Sequence, residues 1–260
     1  LARIKAFSEA NPNKIIIATG DTSQLECIDL VSNSINYDEY MDHCINTIFP
    51  NNIHLMINKR LKTEKDRNTL TSFKQDIFNT DIPVLDTVRK FFKLVNEIKT
   101  ATNIAYVRST CEFVANTVRK KLDIKTDYQV GEYLICRKFL KMKSYRFHVN
   151  YEYVITGIQD NLITIKEKSS GDEDEDEEDE EAIEVQVDKE TVHKYFIFNY
   201  CRTCRSFQGS SVDEKITVFD WRFYFVNRKW LYTAATRATE LNNVVFYVGH
   251  DTTYDEQVLS

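Results

Sequence analysis

Glycine, proline and long apolar runs are scarce in this sequence. Its 260 residues include only six glycines and three prolines, which excludes a collagen-like or low-complexity chain. No run of about 18 apolar residues occurs, which excludes a membrane-spanning helix. None of the six glycines is followed by lysine, so the chain has no Gly-x-x-x-x-Gly-Lys loop for holding nucleotide phosphates. The first residues also lack the basic-then-apolar layout of a secretion signal.

Without a secretion signal, the six cysteines are expected to be reduced. Cys201 and Cys204 form one Cys-x-x-Cys pair, but a closed zinc site needs four ligands and no second pair stands nearby. We therefore expect no metal site in this chain and an intracellular protein, in the cytoplasm or nucleus. The chain lacks an initiator methionine, and we expect it to open inside a longer protein.

The net charge of −6 conceals a basic remainder. Asp172 to Glu181 is a block of ten consecutive acids, and such a block repels itself and stays solvated. Without those ten acids, 34 basic residues face 30 acidic ones, a net charge of +4. The folded part is therefore mildly basic, which permits nucleic-acid binding without requiring it.

Strands alternate with helices in the first half of the sequence. The apolar runs predict strands at Lys14–Thr19, Ile53–Ile57 and Asn103–Val107. Helical spacing predicts helices at Tyr37–Phe49, at Thr63–Phe78 with Thr63 as N-cap, and at Thr110–Leu122. This alternation favours an α/β fold with a parallel sheet and helices on both of its faces.

The pattern changes between Asp127 and Phe198, where the runs are strand-like and no helix is predicted. The acidic block lies between two of these runs and is expected to form a long hairpin tip. A small β-rich module of about 60 to 70 residues, inserted in the α/β domain, fits this region. Buried-strand character returns at Ile216–Phe219 and Val244–Val248, with a helix predicted near Arg228–Thr239.

Polar residues follow the apolar runs of the α/β part at four places, where ligands bind in such sheets. The four segments are Gly20-Asp21-Thr22-Ser23-Gln24-Leu25, Asn58-Lys59-Arg60, Thr203-Cys204-Arg205-Ser206-Phe207-Gln208-Gly209-Ser210-Ser211 and Tyr232-Thr233-Ala234-Ala235-Thr236-Arg237-Ala238. In this order they resemble motifs III, IV, V and VI of superfamily 1 helicases. Each segment is weak evidence alone, and the ordered set is strong. Two positions depart from the family pattern: Arg205 replaces a usual histidine and Phe207 a usual small residue.

The resemblance covers nearly the whole chain and implies a domain organisation. Residues 1–50 would be the tail of a first RecA-like lobe, and 51–126 and 199–260 two parts of a second lobe. Residues 127–198 would be an inserted SH3-like module of the RecD-like branch, whose members move 5′ to 3′. The first lobe, with its P-loop and acidic pair, would precede this chain.

The resemblance also assigns roles. Arg60, Arg237 and Gln24 would be catalytic, since guanidinium groups stabilise charge that spreads over phosphate oxygens during phosphoryl transfer. Both arginines are expected to follow a strand or to begin a helix. The residues implied to contact the nucleotide are Gly20, Asp21, Gln24, Arg60, Gln208, Gly209, Ser211 and Arg237; Asp21 is better explained as a turn cap. Taken singly, each arginine is better explained as a surface ion-pairing residue.

Thr203, Arg205 and Ser206 would contact nucleic-acid phosphates, as motif V does in the family. The aromatic residues that crowd the last third of the chain are predicted to be core more often than a stacking surface. A basic run on the β-rich module is a candidate strand-guiding face, with a solvated loop as an equal alternative. The run comprises Arg137, Lys138, Lys141, Lys143, Arg146 and His148.

The sequence thus predicts the C-terminal part of an ATP-dependent helicase or translocase that moves 5′ to 3′ on single strands, with DNA favoured over RNA. ATP and Mg²⁺ would be bound mainly by the missing lobe, so the chain alone should be inactive. Its richness in Asn, Ile and Lys, with few Gly and Pro, hints at a virus or a protist as the source. Two alternatives remain: a non-catalytic binding module derived from a helicase, and an acidic hairpin that docks a basic protein partner.

Overall fold

The computed structural model describes residues 2–21, 23–24, 49, 51, 53, 58–98, 102–142, 145–168, 183–208 and 210–249. Its helices are α1 (Ala2–Ala10), α2 (Glu64–Phe78), α3 (Val84–Phe91), α4 (Arg108–Lys121), α5 (Lys189–Tyr195) and α6 (Arg228–Ala235). Its strands are β1 (Lys93–Val95), β2 (Thr102–Ala105), β3 (Tyr133–Cys136), β4 (Leu140–Met142), β5 (Tyr145–Phe147), β6 (Glu152–Gln159), β7 (Leu162–Glu167), β8 (Glu184–Asp188), β9 (Phe196–Phe198), β10 (Arg202–Thr203), β11 (Ile216–Val218) and β12 (Val244–Tyr247). Among these residues, no helix has both the length and the apolarity to cross a membrane.

Five strands form a parallel sheet in the order β1-β12-β11-β2-β10. Its central strand β11 is buried along its whole length, as expected for a strand covered on both faces. One face packs against α2, α3 and α6 in a large apolar cluster. The other face packs against α4, whose Cys111, Val114 and Val118 lie against Phe219. The predicted α/β fold, with helices on both faces of a parallel sheet, is confirmed.

A second, antiparallel sheet has the order β8-β7-β6-β3-β9 and is accompanied by the β4–β5 hairpin. Side chains of the sheet and of the hairpin pack into one core of their own, which includes Phe147, Tyr153 and Ile163. In the chain this sheet lies between β2 and β10, which are paired neighbours in the parallel sheet. The separate β-rich part is therefore confirmed, while its SH3-like character and the four domain boundaries stay predictions.

The acidic block connects β7 to β8, which pair along five residues of β8 from Leu162↔Asp188 to Lys166↔Glu184. Asp172–Glu181 itself lies outside the described residues, as do the predicted helix Tyr37–Phe49 (all but its last residue) and the strand Ile53–Ile57 (all but its first). The pairing of β7 with β8 places the two strand ends that flank the block in sequence at the same end of the antiparallel sheet.

Two sequence predictions about secondary structure are wrong. Lys14–Thr19 forms no strand, and Ile15 and Ile17 are 89% and 81% exposed, because an apolar run becomes a buried strand only beside partner strands. The region from Asp127 to Phe198 does contain a helix, α5. Asp188 caps it by accepting a hydrogen bond from the Thr191 N–H at 2.8 Å, and only Val192 of its seven residues is buried.

Local capping chemistry explains where α2 begins. The Thr63 hydroxyl accepts a hydrogen bond from the Asp66 N–H at 3.0 Å and donates one to the Asp66 carboxylate at 2.6 Å. These bonds satisfy an N–H group that the first turn of a helix leaves without a backbone partner. The predicted N-cap is confirmed.

A buried arginine joins the two sheets. Arg202 of β10 is 3% exposed and donates to the Glu152 carboxylate of β6 at 3.2 Å and to the Ser206 carbonyl at 2.6 Å. Its guanidinium also lies 4.8 Å from the centre of the Phe207 ring. Burial lowers the pKa of Arg202, and Glu152 opposes that shift. This residue therefore fixes the antiparallel sheet to the turn that follows β10.

Candidate functional site

Arg237 lies two residues beyond the last residue of α6, not at the end of a strand or the start of a helix as predicted. Its side chain is completely buried. The Nε group donates to the Thr233 carbonyl at 2.9 Å, and Nη1 donates to the Ser210 carbonyl at 3.2 Å. Carbonyls in the last turn of a helix lack backbone partners and favour a cation, which explains why the guanidinium settles there.

The second terminal nitrogen of Arg237 reaches a distant segment of the chain. Nη2 donates to the Gln24 side-chain oxygen at 3.1 Å and to the Thr236 hydroxyl at 3.2 Å. All four acceptors of this guanidinium are neutral: two carbonyls, an amide and a hydroxyl. A buried charge is ordinarily paired with an opposite charge. Among the described residues, neutral dipoles alone accept hydrogen bonds from this cation, and the nearby Asp21 carboxylate adds a weaker electrostatic attraction.

Arg60 reaches the same helix end from another loop. The Asn58 side chain accepts hydrogen bonds from the Arg60 and Leu61 N–H groups, which fixes the turn, and Arg60 Nη1 donates to the Thr236 carbonyl at 2.9 Å. Burial lowers the pKa of Arg237, and repulsion from Arg60 lowers it further. The structure therefore brings Arg60, Arg237 and Gln24 together, and the two positive groups repel each other there.

Gln24 is held by its own turn. Asp21 accepts hydrogen bonds from the Ser23 N–H at 2.9 Å and from the Gln24 side-chain amide at 3.1 Å. The prediction that Asp21 caps a turn is confirmed. Gly20 is exposed, and a Cβ added there would meet nothing within 4 Å. Asp21 thus orients the Gln24 amide, whereas no described contact ties Gly20 to the cluster.

The turn after β10 carries the residues predicted to bind nucleic acid. The Ser206 hydroxyl donates to the Thr203 carbonyl at 2.9 Å, and the Ser206 N–H donates to the Thr203 hydroxyl at 3.3 Å. Arg205 is exposed between them. The turn is therefore closed by its own hydroxyls and presents a cation to solvent.

The end of this segment borders the arginine cluster. Ser210 supplies a carbonyl to Arg237, and Val212 forms a parallel bridge with Ala238. Gln208 and Ser211, which flank Gly209 and Ser210 in the sequence, are exposed. Gly209 lies outside the described residues. Gln208 and Ser211 therefore lie next to the cluster in sequence.

The Cys-x-x-Cys pair is divided between two cores. Cys204 belongs to the apolar cluster under α6, whereas Cys201 packs with Cys111 in the cluster under α4. Burial raises the pKa of the Cys204 thiol to about 12. The two sulfur atoms therefore face different sides of the parallel sheet. In the described part of the chain, no group of three or more His, Cys, Asp or Glu side chains is arranged to hold a metal ion.

The basic run on the antiparallel part divides into two kinds of residue. The Arg137 guanidinium donates twice to the Lys194 carbonyl, at 2.9 and 3.0 Å, so it stabilises the fold. Lys141 and Arg146 are exposed and face each other across the β4–β5 hairpin. Lys138 and His148 are exposed as well, and Lys143 lies outside the described residues.

The aromatic residues after β11 are not all core. Trp221 is buried, but Phe223, Tyr224 and Phe225 are 37%, 72% and 65% exposed. The sequence interpretation favoured core for most of the aromatic residues in the last third of the chain, and these three are exceptions to it. Burial in a loop follows neither the helical nor the strand period. The sequence therefore gives no signal that Trp221 is buried while the aromatic residues after it are exposed.

No family model matches the sequence, and no curated protein matches it. Among solved structures, the chain is similar to Pif1 helicase from Bacteroides in complex with ADP-AlF3 and ssDNA, with 15% identity and a TM-score of 0.51 over 93% of this chain and 63% of that chain. Bacteroides Pif1 bound to ssDNA also matches, with 15% identity and a TM-score of 0.46 over 72% of this chain and 49% of that chain. Pif1 helicase from Candida albicans matches with 11% identity and a TM-score of 0.44 over 77% and 56%.

The chain spans less than two thirds of the length of each of these structures. At this low identity the likeness concerns the fold, and the first comparison carries it. The parallel sheet with its accompanying antiparallel sheet is a Pif1-like fold.

Proposed function

We propose that this chain is the C-terminal part of an ATP-dependent helicase or translocase of superfamily 1 that moves 5′ to 3′ along single-stranded DNA. Its RecA-like second lobe would carry an SH3-like insert. The observation that carries the proposal is the buried guanidinium of Arg237, whose hydrogen-bond acceptors among the described residues are all neutral and which lies near a second guanidinium. Such a cluster is complementary to a polyanion such as the triphosphate of ATP.

The arginine roles follow from this electrostatics. The transition state of phosphoryl transfer spreads negative charge over the γ-phosphate oxygens. Arg237 is preorganised by the carbonyls of Thr233 and Ser210, so little reorganisation is needed when that charge develops. Arg60 would contact the same phosphate from the other side of the helix end. An entering anion would also relieve the repulsion that lowers the pKa of Arg237.

Gln24 would couple the presence of the γ-phosphate to closure of the two lobes. Its side-chain oxygen accepts from Arg237, and its amide nitrogen donates to Asp21. A phosphate that binds Arg237 would compete with the Gln24 side-chain oxygen for the Nη2 N–H group of Arg237. Gly20, Gln208, Gly209 and Ser211 would complete the nucleotide contacts, and Mg²⁺ would be held by carboxylates of the first lobe.

The DNA strand would pass over the turn after β10. Thr203, Arg205 and Ser206 stand there, and Arg205 offers an exposed cation for a phosphate. Single-strand binding of this kind depends on backbone contacts and falls with salt. The Bacteroides Pif1 structures with ssDNA favour DNA as the nucleic acid.

The proposal is tested first on the residues encoded before Leu1. A P-loop, followed by an acidic pair within about 15 residues of Leu1, is expected. A protein that includes that lobe should unwind a duplex with a 5′ single-stranded tail when ATP is added, and should leave a duplex with a 3′ tail intact. The 260-residue chain alone should show no DNA-stimulated ATPase activity above background; activity there would contradict the assignment of the P-loop to a missing lobe.

The second candidate function is a non-catalytic binding module, which the lack of a P-loop in these residues favours. The acidic block separates the two candidates. Deleting residues 172–181 removes ten negative charges, so a motor fragment should bind single-stranded DNA several-fold more tightly at low salt, and the gain should shrink as salt is added. If deletion leaves DNA affinity unchanged and abolishes binding of a basic protein such as histone H1, the block is a docking arm.

A further inference from the structure

We propose that the loop formed by residues 220–226, here called the aromatic loop, is a stacking platform for bases of a single DNA strand. The inference rests on the proposed function and extends it to a surface outside the four motif segments. Phe223, Tyr224 and Phe225 expose 37%, 72% and 65% of their surface. Three consecutive exposed aromatic side chains form an apolar patch, and such patches on protein surfaces commonly mark interaction sites.

The aromatic loop is held in place at its first residue. Asp220 adopts a left-handed conformation with φ of 55°. Its carboxylate accepts hydrogen bonds from the Tyr106 N–H at 3.0 Å, the Val107 N–H at 3.1 Å and the Thr110 hydroxyl at 2.9 Å. This carboxylate therefore ties the loop to the end of β2 and to the first turn of α4.

Two further side chains fix the loop to the end of β12. The Trp221 indole N–H donates to the Tyr247 carbonyl at 2.7 Å, and Arg222 Nη2 donates to the Val248 carbonyl at 2.7 Å. Within the loop, the Val226 N–H donates to the Phe223 carbonyl at 2.8 Å. The exposed rings are thus presented by a fixed backbone, which lowers the entropy that ordering them on a ligand would cost.

The rings contact one another at tilted to edge-on angles of 46°, 56° and 78°, so they form a cluster that offers several ring faces and edges. The centroids of Phe223 and Phe225 are 5.6 Å apart, those of Tyr224 and Phe225 are 5.2 Å apart, and that of Tyr106 lies 5.6 Å from Phe223. Tyr106 in turn lies 5.8 Å from Trp230. Bases stack on such surfaces whatever their identity, because each base has a flat π-face.

The aromatic cluster lies at the same edge of the sheet as the turn that would grip the strand. β2, β10 and β11 are parallel neighbours, so the residues that follow them meet at one edge of the sheet. The Cys204 N–H donates to the Ala105 carbonyl at 3.1 Å, directly before Tyr106, and the Cys204 thiol contacts the Trp230 carbonyl at 3.9 Å. A strand held by its phosphates at Thr203–Ser206 therefore has the aromatic loop beside it.

The charges at this edge favour a polyanion over an apolar protein partner. Arg205 is exposed on the turn, and Arg108 is exposed next to Val107, whose N–H is held by Asp220. Phosphates can pair with these two cations while the bases turn toward the rings. We therefore assign the platform to nucleic acid, and self-association through the patch is an outcome of the test.

The test compares two fluorescein-labelled strands of equal length, oligothymidylate and an abasic oligonucleotide, with the 260-residue chain. The abasic strand keeps the phosphates and lacks the bases. The wild-type chain should bind oligothymidylate more tightly, by roughly 5- to 150-fold for each stacked base. The double variant Tyr224→Ala/Phe225→Ala should lose that preference and bind the abasic strand as the wild type does.

Three variants sharpen the result. Phe113→Ala removes an aromatic ring that is 60% exposed on α4 and should change neither affinity. Tyr224→Trp should retain the preference for bases. Arg108→Gln should weaken binding of both strands and reduce the slope of log affinity against log salt by about 0.7, whereas the aromatic double variant leaves that slope unchanged.

Two outcomes would contradict the stacking platform, and a third would contradict the proposed motor function as well. If the double variant keeps the wild-type preference for oligothymidylate, the aromatic loop does not stack bases. If the wild type dimerises and the double variant is monomeric by light scattering, with unchanged DNA affinity, the patch is a self-association surface. If the wild-type chain binds neither strand, the platform and the proposed motor function both fail.

Discussion

Arg237 and Arg202 are both buried arginines in the same domain, and their surroundings differ. Arg202 is 3% exposed and has a carboxylate partner in Glu152, as a buried cation that joins two parts of a fold usually does. Arg237 is 0% exposed, and its hydrogen-bond acceptors in the described part of the chain are all neutral, with Asp21 acting on it only through space. The difference teaches that burial alone does not identify a functional arginine. A buried guanidinium that is not hydrogen-bonded to a carboxylate is the one prepared for an external anion.

Replacing Arg237 is expected to have the largest effect. In the complete motor, Arg237→Lys should lower the DNA-stimulated ATPase rate by about 10³-fold or more, because an ammonium group cannot make the bidentate contact of a guanidinium with phosphate. Steady-state hydrolysis at saturating DNA measures this rate. Arg228→Lys is the control, since Arg228 binds the carbonyls of Ile77 and Ile82 near the end of α2. A loss below about tenfold would contradict the role given to Arg237.

Replacing Arg202 should reduce stability. Arg202→Met removes the bonds to Glu152 and Ser206, and the free energy of unfolding should fall by roughly 1–3 kcal/mol. Urea unfolding followed by tryptophan fluorescence measures it. Lys168→Met is the matched control, because Lys168 pairs with the same carboxylate from an exposed position and should contribute less than about 1 kcal/mol. Equal losses of unfolding free energy in the two variants would show that the Arg202–Glu152 ion pair does not stabilise the fold more than an exposed pair does.

Inorganic phosphate should stabilise the chain through Arg237. At about ten times its dissociation constant, a bound anion adds about 1.4 kcal/mol, which raises the melting temperature by roughly 3–6 °C for a chain of this size. The shift should disappear in Arg237→Met and persist in Arg202→Met, which separates the two arginines directly. Sodium chloride at equal ionic strength controls for screening. An equal phosphate shift in both variants would place the anion elsewhere.

Above about pH 9, stability should also depend on the Cys204 thiol beneath α6. Burial raises the pKa of Cys204 from 9.0 to about 12, and the positive charges of Arg237 and Arg205 oppose the shift. A raised pKa contributes stability that is present below about pH 9 and is lost as pH rises toward 12. The wild type should therefore lose up to about 1.4 kcal/mol per pH unit above pH 9 from this thiol.

Urea unfolding at about pH 8 and about pH 10.5 measures the loss. The variant Cys204→Ala should show a shallower decline, although Tyr232, whose pKa burial raises to about 12, still contributes to it. An identical decline in the variant and the wild type would show that the Cys204 thiol is not responsible.

Features set by local chemistry could be predicted from the sequence. The start of α2 depends on Thr63 and Asp66, three residues apart, and β7 follows from alternating side chains. The helix α5 was missed because it is one short segment with a single buried residue, Val192. The run Lys14–Thr19 was mistaken for a strand because its composition matches one, and composition does not supply a neighbouring strand.

The candidate site could be predicted only as a set of residues. Motif order singles out Arg60, Arg237 and Gln24, yet their meeting at the end of α6 depends on tertiary packing across most of the chain. The sequence likewise carries no sign that the acceptors of Arg237 are all neutral. For the aromatic loop, residue type does not predict burial, because Trp221 is buried and Tyr224 is exposed although both are aromatic residues of one loop.

The position of the antiparallel sheet within the chain has a consequence for folding. Ala105 of β2 pairs with Thr203 of β10, and the whole antiparallel sheet lies between them in sequence. Closing so long a loop has an entropic cost that slows the formation of distant contacts. The β6–β7–β8 meander is joined by contacts that are much closer in sequence. It should therefore form first and bring β2 and β10 within reach, so that mutations in the meander slow the completion of the parallel sheet.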